Sequence, residues 1–352
     1  MQKSFRFPLA LLAVIVAVLA SACEVEDRNA SIPSVPTAAS FLDDSHGWIG
    51  AADGIWYTED GGKTWTRQFP SQEPVIRLGL LDSQNGWALT QSFAVLSTRN
   101  GGKDWITVEI PGVSLRAVDF VGPAHVVATD GNGLLVSRDG GKTWDRIGSD
   151  LPFADLDFVS EEEGWAAGQG QVWYTSDGGK TWIPQLTLPE PDKWLGYTSV
   201  RFTTANTGWV LFCLGQGAGS QEAYLLYGTT DGGRTWTPQL VNPWPWPFQA
   251  EQPEGPLGPG GYPRAFDAWA DTAWVAVYSP AAGHLEVVRV TMDGAPPVSG
   301  DPIPVSDPTV DISFVDARTG WLVVSDSQRT KAAILRSADG GQSWTAIIGD
   351  LE

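Results

Sequence analysis

Short runs of alternating apolar and polar residues recur from about residue 38 to residue 349, separated by turns rich in glycine and proline. Runs of this length and period predict β-strands. Each recurring unit contains four such runs, which we name strands A to D. Strand A ends near a Phe or Leu, strand B begins at a Gly-Trp pair, strand C runs into a Ser or Thr, and strand D starts at a Trp. The pattern predicts an all-β fold.

One octapeptide marks the turn between strands C and D. Its copies are TEDGGKTW, TRNGGKDW, SRDGGKTW, TSDGGKTW, TTDGGRTW and SADGGQSW, with a degenerate seventh copy, TMDGA. They start at residues 58, 98, 137, 175, 229, 337 and, for the degenerate copy, 291. A period near 40 residues is typical of propellers. We therefore predict a seven-bladed β-propeller over residues 38–352. Because the pattern assigns all four strands to every unit, the sequence leaves open how the ring closes, and pairing by residues 25–37 is one possibility.

Charge and composition narrow the classes of function. The chain has 41 acidic and 22 basic residues, a formal net charge of -19. That balance disfavours nucleic acid and bare anionic membranes as partners. Its three His and two Cys are far apart in sequence, so no close set of ligands suggests a metal site. We expect no metal and no cofactor.

The amino terminus has the features of a secretory leader. Lys3 and Arg6 precede an apolar run over residues 7–20, which is too short to span a bilayer as a helix. Residues 1–22 are predicted to be a lipoprotein signal peptide, because the sequence LASAC ending at Cys23 resembles a bacterial lipobox. Cys23 would be lipidated, although ordinary cleavage with an incidental Cys is the alternative. Residues 23–37 would be a tether, and the protein an extracytoplasmic, membrane-anchored bacterial lipoprotein held by lipid.

The acidic or amide residue of each octapeptide has a structural interpretation. A carboxylate or amide can accept hydrogen bonds from the backbone of its own turn, while the glycine pair supplies positive φ angles. Asn100, which stands at the acidic position of one octapeptide, supports this interpretation because an amide cannot act as a general base. The residues assigned to this structural role are Asp60, Asn100, Asp139, Asp177, Asp231, Asp293 and Asp339.

Insertions concentrate on one rim of the predicted propeller. Blade strands alternate in direction, so D-to-A and B-to-C connections emerge on the rim opposite the octapeptides, and the long segments 183–198 and 237–263 are D-to-A connections. We name this rim the inserted rim, where function is expected. Trp244, Trp246 and Phe248 lie in a proline-rich stretch that would display them for a protein or a sugar. The alternative is that these rings fold back over the propeller's own channel.

Four arginines precede the ends of strand A in different units. Arg77, Arg116, Arg201 and Arg264 occur one to four residues before that end. Because innermost strands line the channel, we predict a ring of guanidiniums at its mouth, suited to carboxylates of a protein partner. The alternative is that each Arg pairs with a nearby carboxylate, such as Asp82, Asp119 or Asp267.

The repeated Gly-Trp strand and TxDGGKTW box resemble the Asp-box, or BNR, repeat of the photosystem II stability and assembly factor family. The resemblance implies a non-catalytic propeller that binds a protein, such as a membrane-protein assembly intermediate, through an arginine patch. We expect the protein to be a monomer. Asp-boxes also occur in glycoside hydrolases, so a sialidase-like carbohydrate-active enzyme is the alternative. The Arg-Ile-Pro element of the sialidase pattern is absent from the sequence.

Overall fold

A computed structural model describes residues 35–108, 110, 115–131, 133–148, 151–215, 221–244, 252–328 and 331–351. These residues form seven antiparallel sheets, each built from strands that follow one another along the chain. The chain is all-β, a seven-bladed β-propeller, as predicted. Its described residues include one 3-10 turn, η1 (Pro191–Lys193). None of them forms a helix of the length and apolarity needed to span a bilayer.

The strands of the seven blades are given in chain order. Blades 1 to 3 contain β1 (Pro36–Phe41), β2 (Gly47–Ala51), β3 (Gly54–Thr58), β4 (Thr66–Pro70); β5 (Val75–Leu80), β6 (Gly86–Thr90), β7 (Val95–Thr98), β8 (Ile106–Val108); and β9 (Ala117–Phe120), β10 (Val126–Thr129), β11 (Leu134–Ser137), β12 (Asp145–Ile147). Blades 4 and 5 contain β13 (Asp155–Phe158), β14 (Gly164–Gly168), β15 (Gln171–Thr175), β16 (Ile183–Thr187); and β17 (Thr198–Phe202), β18 (Gly208–Cys213), β19 (Tyr224–Thr229), β20 (Thr237–Asn242). Blades 6 and 7 contain β21 (Tyr262–Trp269), β22 (Thr272–Ser279), β23 (His284–Thr291), β24 (Val298–Ser299), β25 (Ile303–Pro304); and β26 (Thr309–Phe314), β27 (Gly320–Ser325), β28 (Ala332–Ser337), β29 (Thr345–Asp350).

The strand boundaries agree closely with the sequence pattern. In blade 1, β1 ends at Phe41, β2 begins at Gly47, β3 ends at Thr58 and β4 begins directly after Trp65. The first two residues of β1 fall within the stretch assigned to a tether. The two long D-to-A connections are shorter than expected, because β16 and β20 occupy the first residues of each segment.

The Gly-Trp pair has a physical reason in the packing of neighbouring blades. A Cβ on Gly47 would lie 2.2 Å from the ring of Phe41, which covers the glycine from the adjacent strand. The Phe ring in turn stacks on a Trp of the preceding blade. Phe202 in blade 5 stacks on Trp165 in blade 4 with ring centroids 3.5 Å apart. The motif therefore joins two blades.

The same contact closes the ring. Phe41 in blade 1 stacks on Trp321 in blade 7, with centroids 3.7 Å apart and planes at 2°. The indole N–H of Trp321 donates to the carbonyl of Gly61 at 3.2 Å. Among the described residues no blade borrows a strand from another unit. Closure therefore depends on side-chain packing and individual hydrogen bonds between blades 7 and 1.

Blade 6 departs from the regular repeat at its outer edge. Its degenerate octapeptide lacks the second glycine and the Trp, and the outer strand is split into β24 and β25, which pair with the two halves of β23. Asp293 still accepts hydrogen bonds from the Thr291 hydroxyl and the backbone N–H of Ala295. The degenerate box thus keeps part of its turn but no longer starts a full-length strand.

Candidate functional site in the axial channel

The innermost strand of every blade contributes to one axial channel. Residues of β1, β5, β9, β13, β17, β21 and β26 surround a cavity of about 480 Å³. These are the seven A strands, so the prediction that strand A is innermost is confirmed. Side chains that alternate along these strands point into the channel, and they supply its charges.

Three of the four predicted arginines line this cavity. They are Arg77, Arg201 and Arg264. Arg116 instead lies over Gly131 in the B-to-C connection of its own blade, where its guanidinium carbon is 2.6 Å from the position that a Cβ on that glycine would take. The four residues therefore do not form a single ring, because Arg116 precedes β9 and its side chain turns outward at the rim.

The three channel arginines lie at different depths. Arg201 directly precedes the end of β17, close to the octapeptide rim. Arg77 lies three residues before the end of β5, and Arg264 lies where the register of β21 shifts. With about 3.3 Å of rise per strand residue, the guanidiniums are staggered along the channel from the inserted rim inward.

The pairing of these arginines also differs. Arg201 forms an ion pair with Asp157 at 3.3 Å. Arg264 pairs with Asp307 at 2.8 Å, and its guanidinium lies over the ring of Tyr278, 5.6 Å from the centroid. Among the described residues no carboxylate is within ion-pair distance of Arg77. The alternative, in which each Arg pairs with a nearby Asp, therefore applies to two of the three channel residues, with partners other than Asp82, Asp119 and Asp267.

Carboxylates of the A strands join the blades to one another. The sequence pattern suggested two of them, Asp119 and Asp267, as possible Arg partners and gave the others no role. The backbone N–H of Ala39 in blade 1 donates to Asp311 in blade 7 at 2.8 Å. An inner strand is a sheet edge with unpaired N–H groups, so a carboxylate from the preceding blade satisfies one of them. Equivalent bonds run from Phe158 to Asp119, Val200 to Asp155, Phe202 to Asp157 and Phe314 to Asp267. An Asp one to three residues before the end of strand A is the signal that could have found them.

Burial changes the acidity of these carboxyls. It raises the pKa of Asp311 to about 6, against the lowering effects of the Ala39 N–H and of Arg77. It also raises the pKa of Asp119, Asp157 and Asp267. Burial lowers the pKa of Arg201, but the surrounding carboxylates, Asp157 foremost, outweigh it, and the net shift is upward. Arg201 therefore stays charged, while Asp119, Asp157, Asp267 and Asp311 hold protons more tightly than free Asp.

The octapeptides lie on the opposite rim and bond within themselves. Asp177 accepts from the backbone N–H of Thr181 at 2.9 Å and from its hydroxyl at 2.7 Å. Gly178 and Gly179 have φ angles of 71° and 84°. Hydrogen bonding from the Thr143 hydroxyl lowers the pKa of Asp139 to about 2 in the same way. Equivalent turns occur at Asp60, Asn100, Asp231 and Asp339.

The remaining predicted site residues are only partly described. Trp244 is 64% exposed on the inserted rim, which agrees with a displayed ring. Trp246, Phe248 and Cys23 lie outside the described residues. Residues 256–258 return along the outer edge of β20, where the N–H of Gly258 donates to the carbonyl of Val241 at 2.9 Å. This return extends blade 5 at the inserted rim.

Comparisons with known proteins agree with the repeat and the fold. A family model described as photosynthesis system II assembly factor YCF48 matches residues 20–112. The photosystem II assembly lipoprotein Ycf48 of Synechococcus sp. (strain CC9902) is 25% identical over 158 residues, 42% of this chain and 47% of that protein. The structure of YCF48 bound to D1 peptide is similar with a TM-score of 0.57 at 17% identity, covering 88% of this chain and 95% of that one. The chain is thus a repeat-built propeller that is similar to photosystem II assembly factors of the BNR type.

Other propellers match as well. A model described as sortilin, neurotensin receptor 3, matches residues 132–250. A xyloglucanase of Paenibacillus sp. is 27% identical over 308 residues, 73% of this chain and 28% of that protein. An ancestral GH74 enzyme shares the fold with a TM-score of 0.55 at 12% identity, covering 90% of this chain and 55% of that one. The alignments span less than half the length of both curated relatives.

Proposed function

We propose that this chain is a non-catalytic, lipid-anchored extracytoplasmic propeller that binds a protein partner in an assembly or scaffold role. The observation that carries the proposal is the placement of Arg77, Arg201 and Arg264 in one axial channel. A guanidinium binds a carboxylate through two parallel hydrogen bonds. The ligand that fits is therefore an acidic side chain or the carboxyl end of a polypeptide.

Arg77 is the strongest candidate for direct contact with the partner. Its side chain is exposed in the channel, and among the described residues no carboxylate pairs with it. Arg264 is held by Asp307, whose side chain is 62% exposed at the rim. An exposed ion pair of this kind contributes little, so an incoming carboxylate can replace Asp307 at small cost.

The proposed anchor places the same rim towards the membrane. Strand A of blade 1 begins at the inserted rim, so residue 35 leaves the propeller there. A chain of twelve residues from Cys23 to that point spans at most about 40 Å. Lipidation of Cys23 would hold the channel mouth near the bilayer surface, which favours the extramembrane segment of a membrane protein as the partner. The relatives named above, an assembly lipoprotein and a D1-peptide complex, support this proposal.

The test is affinity capture from native membranes with the lipidated chain. We expect the double variant Arg77→Ala, Arg264→Ala to lose at least about nine-tenths of the captured partner, because each lost guanidinium contact to a carboxylate costs about 1.5 kcal/mol or more. Arg116→Ala is the matched control, since it removes the same charge from the same rim outside the channel. Equal thermal melting of all three proteins verifies folding. Unchanged capture by the double variant, or equal loss in Arg116→Ala, would refute the channel as the site.

A glycoside hydrolase is the second candidate, favoured by the xyloglucanase alignment over 73% of the chain. Glycosidases need two carboxyls free to act on the scissile bond. In this channel Asp119, Asp157 and Asp267 each accept a backbone N–H from the next blade. We expect no release of reducing ends from xyloglucan or a panel of sialosides. Turnover that Asp157→Asn abolishes would establish the enzyme instead.

A further inference from the structure

Positive and negative groups are interleaved in the axial channel. Among the described residues, the charged and titratable groups that line the cavity or pack directly against Arg201 come from blades 2 to 7, whereas blade 1 lines the cavity with the uncharged Thr37, Ala39 and Ser40. They are Arg77, Asp119, Asp155, Asp157, Tyr197, Arg201, Arg264, Asp267 and Asp311. With all five carboxyls ionised against three guanidiniums, the net charge of the set is -2. An anionic ligand would then be repelled by the site that is proposed to bind it.

Arg201 shows how protons can change this balance. Its side chain is 46% exposed to the channel, while that of its partner Asp157 is 9% exposed. Asp157 also accepts the backbone N–H of Phe202 in the next blade. A protonated carboxyl keeps an acceptor oxygen but loses its negative charge. Protonation of Asp157 therefore frees the Arg201 guanidinium for a ligand and leaves the bond between the blades in place.

We propose that the channel binds its anionic ligand together with protons, so that protonation of Asp157 and its neighbouring carboxyls releases Arg201 and strengthens binding as the pH falls. This inference rests on the proposed function, in which the channel binds a carboxylate-bearing partner. It adds that the partner is held more tightly in a mildly acidic compartment than in an alkaline one. The carboxyls thus have two roles, joining the blades and setting the charge of the site.

The burial of the carboxyls supports the direction of this effect. Burial raises the pKa of Asp157, against the lowering effect of Arg201, and raises the pKa of Asp311 to about 6. Burial and the charge of Asp157 raise the pKa of Asp119. A bound anion raises these values further, because it disfavours the charged carboxylates beside it. Binding and proton uptake therefore strengthen each other by linkage.

The experiment measures binding of a hexa-aspartate peptide, blocked at both ends, to the full-length chain in neutral detergent. The side chains of this peptide stay largely ionised from about pH 5.5 to about pH 8.5, so a change in affinity across that range reports on the protein. At constant ionic strength we expect the dissociation constant of the peptide to be about tenfold smaller at the lower pH. A tenfold change in affinity has the same free energy as a pKa shift of about one unit. Calorimetry in two buffers of different ionisation enthalpy should show net proton uptake.

Two conservative variants assign the effect. Asp157→Asn keeps an acceptor for the Phe202 N–H and removes the titrating charge, so its affinity near pH 8.5 should approach the wild-type affinity near pH 5.5. Asp192→Asn, in η1 on the inserted rim and outside the channel, is the matched control and should keep the wild-type pH dependence. Infrared absorbance of protonated carboxyl groups provides a readout that needs no ligand, and Asp157→Asn should reduce it between these pH values.

The outcomes separate the inference from the function on which it rests. Peptide binding that is lost in Arg77→Ala, but is equally tight at both pH values, would leave the binding site in place and overturn the proton linkage. A pH dependence that survives in Asp157→Asn and in the corresponding variants of Asp119 and Asp311 would also overturn it. Absence of peptide binding at every pH would refute the channel as an anion site, and both proposals would fail.

Discussion

Replacement of Trp321 by Ala is expected to lower the free energy of unfolding by about 3–5 kcal/mol, the usual cost of removing a buried aromatic side chain. Trp321 is fully buried, stacks on Phe41 across the junction of blades 7 and 1, and donates to the carbonyl of Gly61. The guanidinium of Arg336 lies over the ring of Trp321, 5.4 Å from the ring centroid. The junction lacks a shared strand among the described residues, so few contacts replace those that are lost.

Urea unfolding followed by far-ultraviolet circular dichroism measures this effect, since one Trp fewer changes the fluorescence. Trp165→Ala, which removes an equivalent stack between blades 4 and 5, is the internal comparison and should cost a similar amount. Trp244→Ala is the control for loss of a Trp at an exposed position and should change stability by less than about 0.5 kcal/mol. A cost below about 1 kcal/mol for Trp321→Ala would mean that the packing of Trp321 is not what closes the ring.

Asp311→Asn is expected to stabilise the protein at alkaline pH and to have little effect near pH 4. Burial raises the pKa of Asp311 to about 6 in the folded chain, against about 3.9 for an unfolded Asp. At a pH between these two values, the carboxyl of Asp311 is mostly protonated in the folded state and mostly ionised in the unfolded state. The free energy of unfolding therefore falls as the pH rises from about 4 through about 6, and stays lower above that range.

An Asn at position 311 keeps an acceptor for the Ala39 N–H but cannot ionise. We expect a gain of about 2 kcal/mol near pH 8, from a difference of about two pKa units discounted for partial exposure. Thermal and urea unfolding at both pH values measure it, with Asp192→Asn as a control that removes an unburied carboxyl. Destabilisation of equal size at both pH values would show that the hydrogen bond, and not the titration, dominates at this site.

The sequence pattern predicted the blades well because the hydrogen bonds and contacts that define each strand and turn join residues that are close together in the chain. The Ser or Thr, the Asp and the glycine pair of each octapeptide bond within a few residues, as between Asp177 and Thr181. Gly-Trp marks the start of strand B because Phe41 covers Gly47 from the neighbouring strand of the same sheet. Both features can be read from a single repeat, and strand positions agree to within about two residues.

The channel was predicted less well. Arg77, Arg201 and Arg264 enter it, whereas Arg116 lies outside, because a shift of one or two residues along an A strand decides whether a side chain faces the channel or the rim. The carboxylates that join the blades were missed in this role. Their partners are backbone N–H groups in the next blade, so the recurring Asp near the end of strand A can be assigned this role only when the neighbouring blade is in place.

The sequence by itself determined the number of blades, the order of strands, the two rims and the rim that carries the insertions, since all of these follow from a repeat whose contacts are local. Only the tertiary structure decided how the ring closes and which charges share the channel. Asp311 and Ala39 are 272 residues apart in the chain and 2.8 Å apart in the fold. The physical reason is that ring closure brings together the surfaces of two blades that are far apart in the chain. Whether these surfaces fit depends on the orientation and burial of their side chains, which are set only when seven blades pack around one axis.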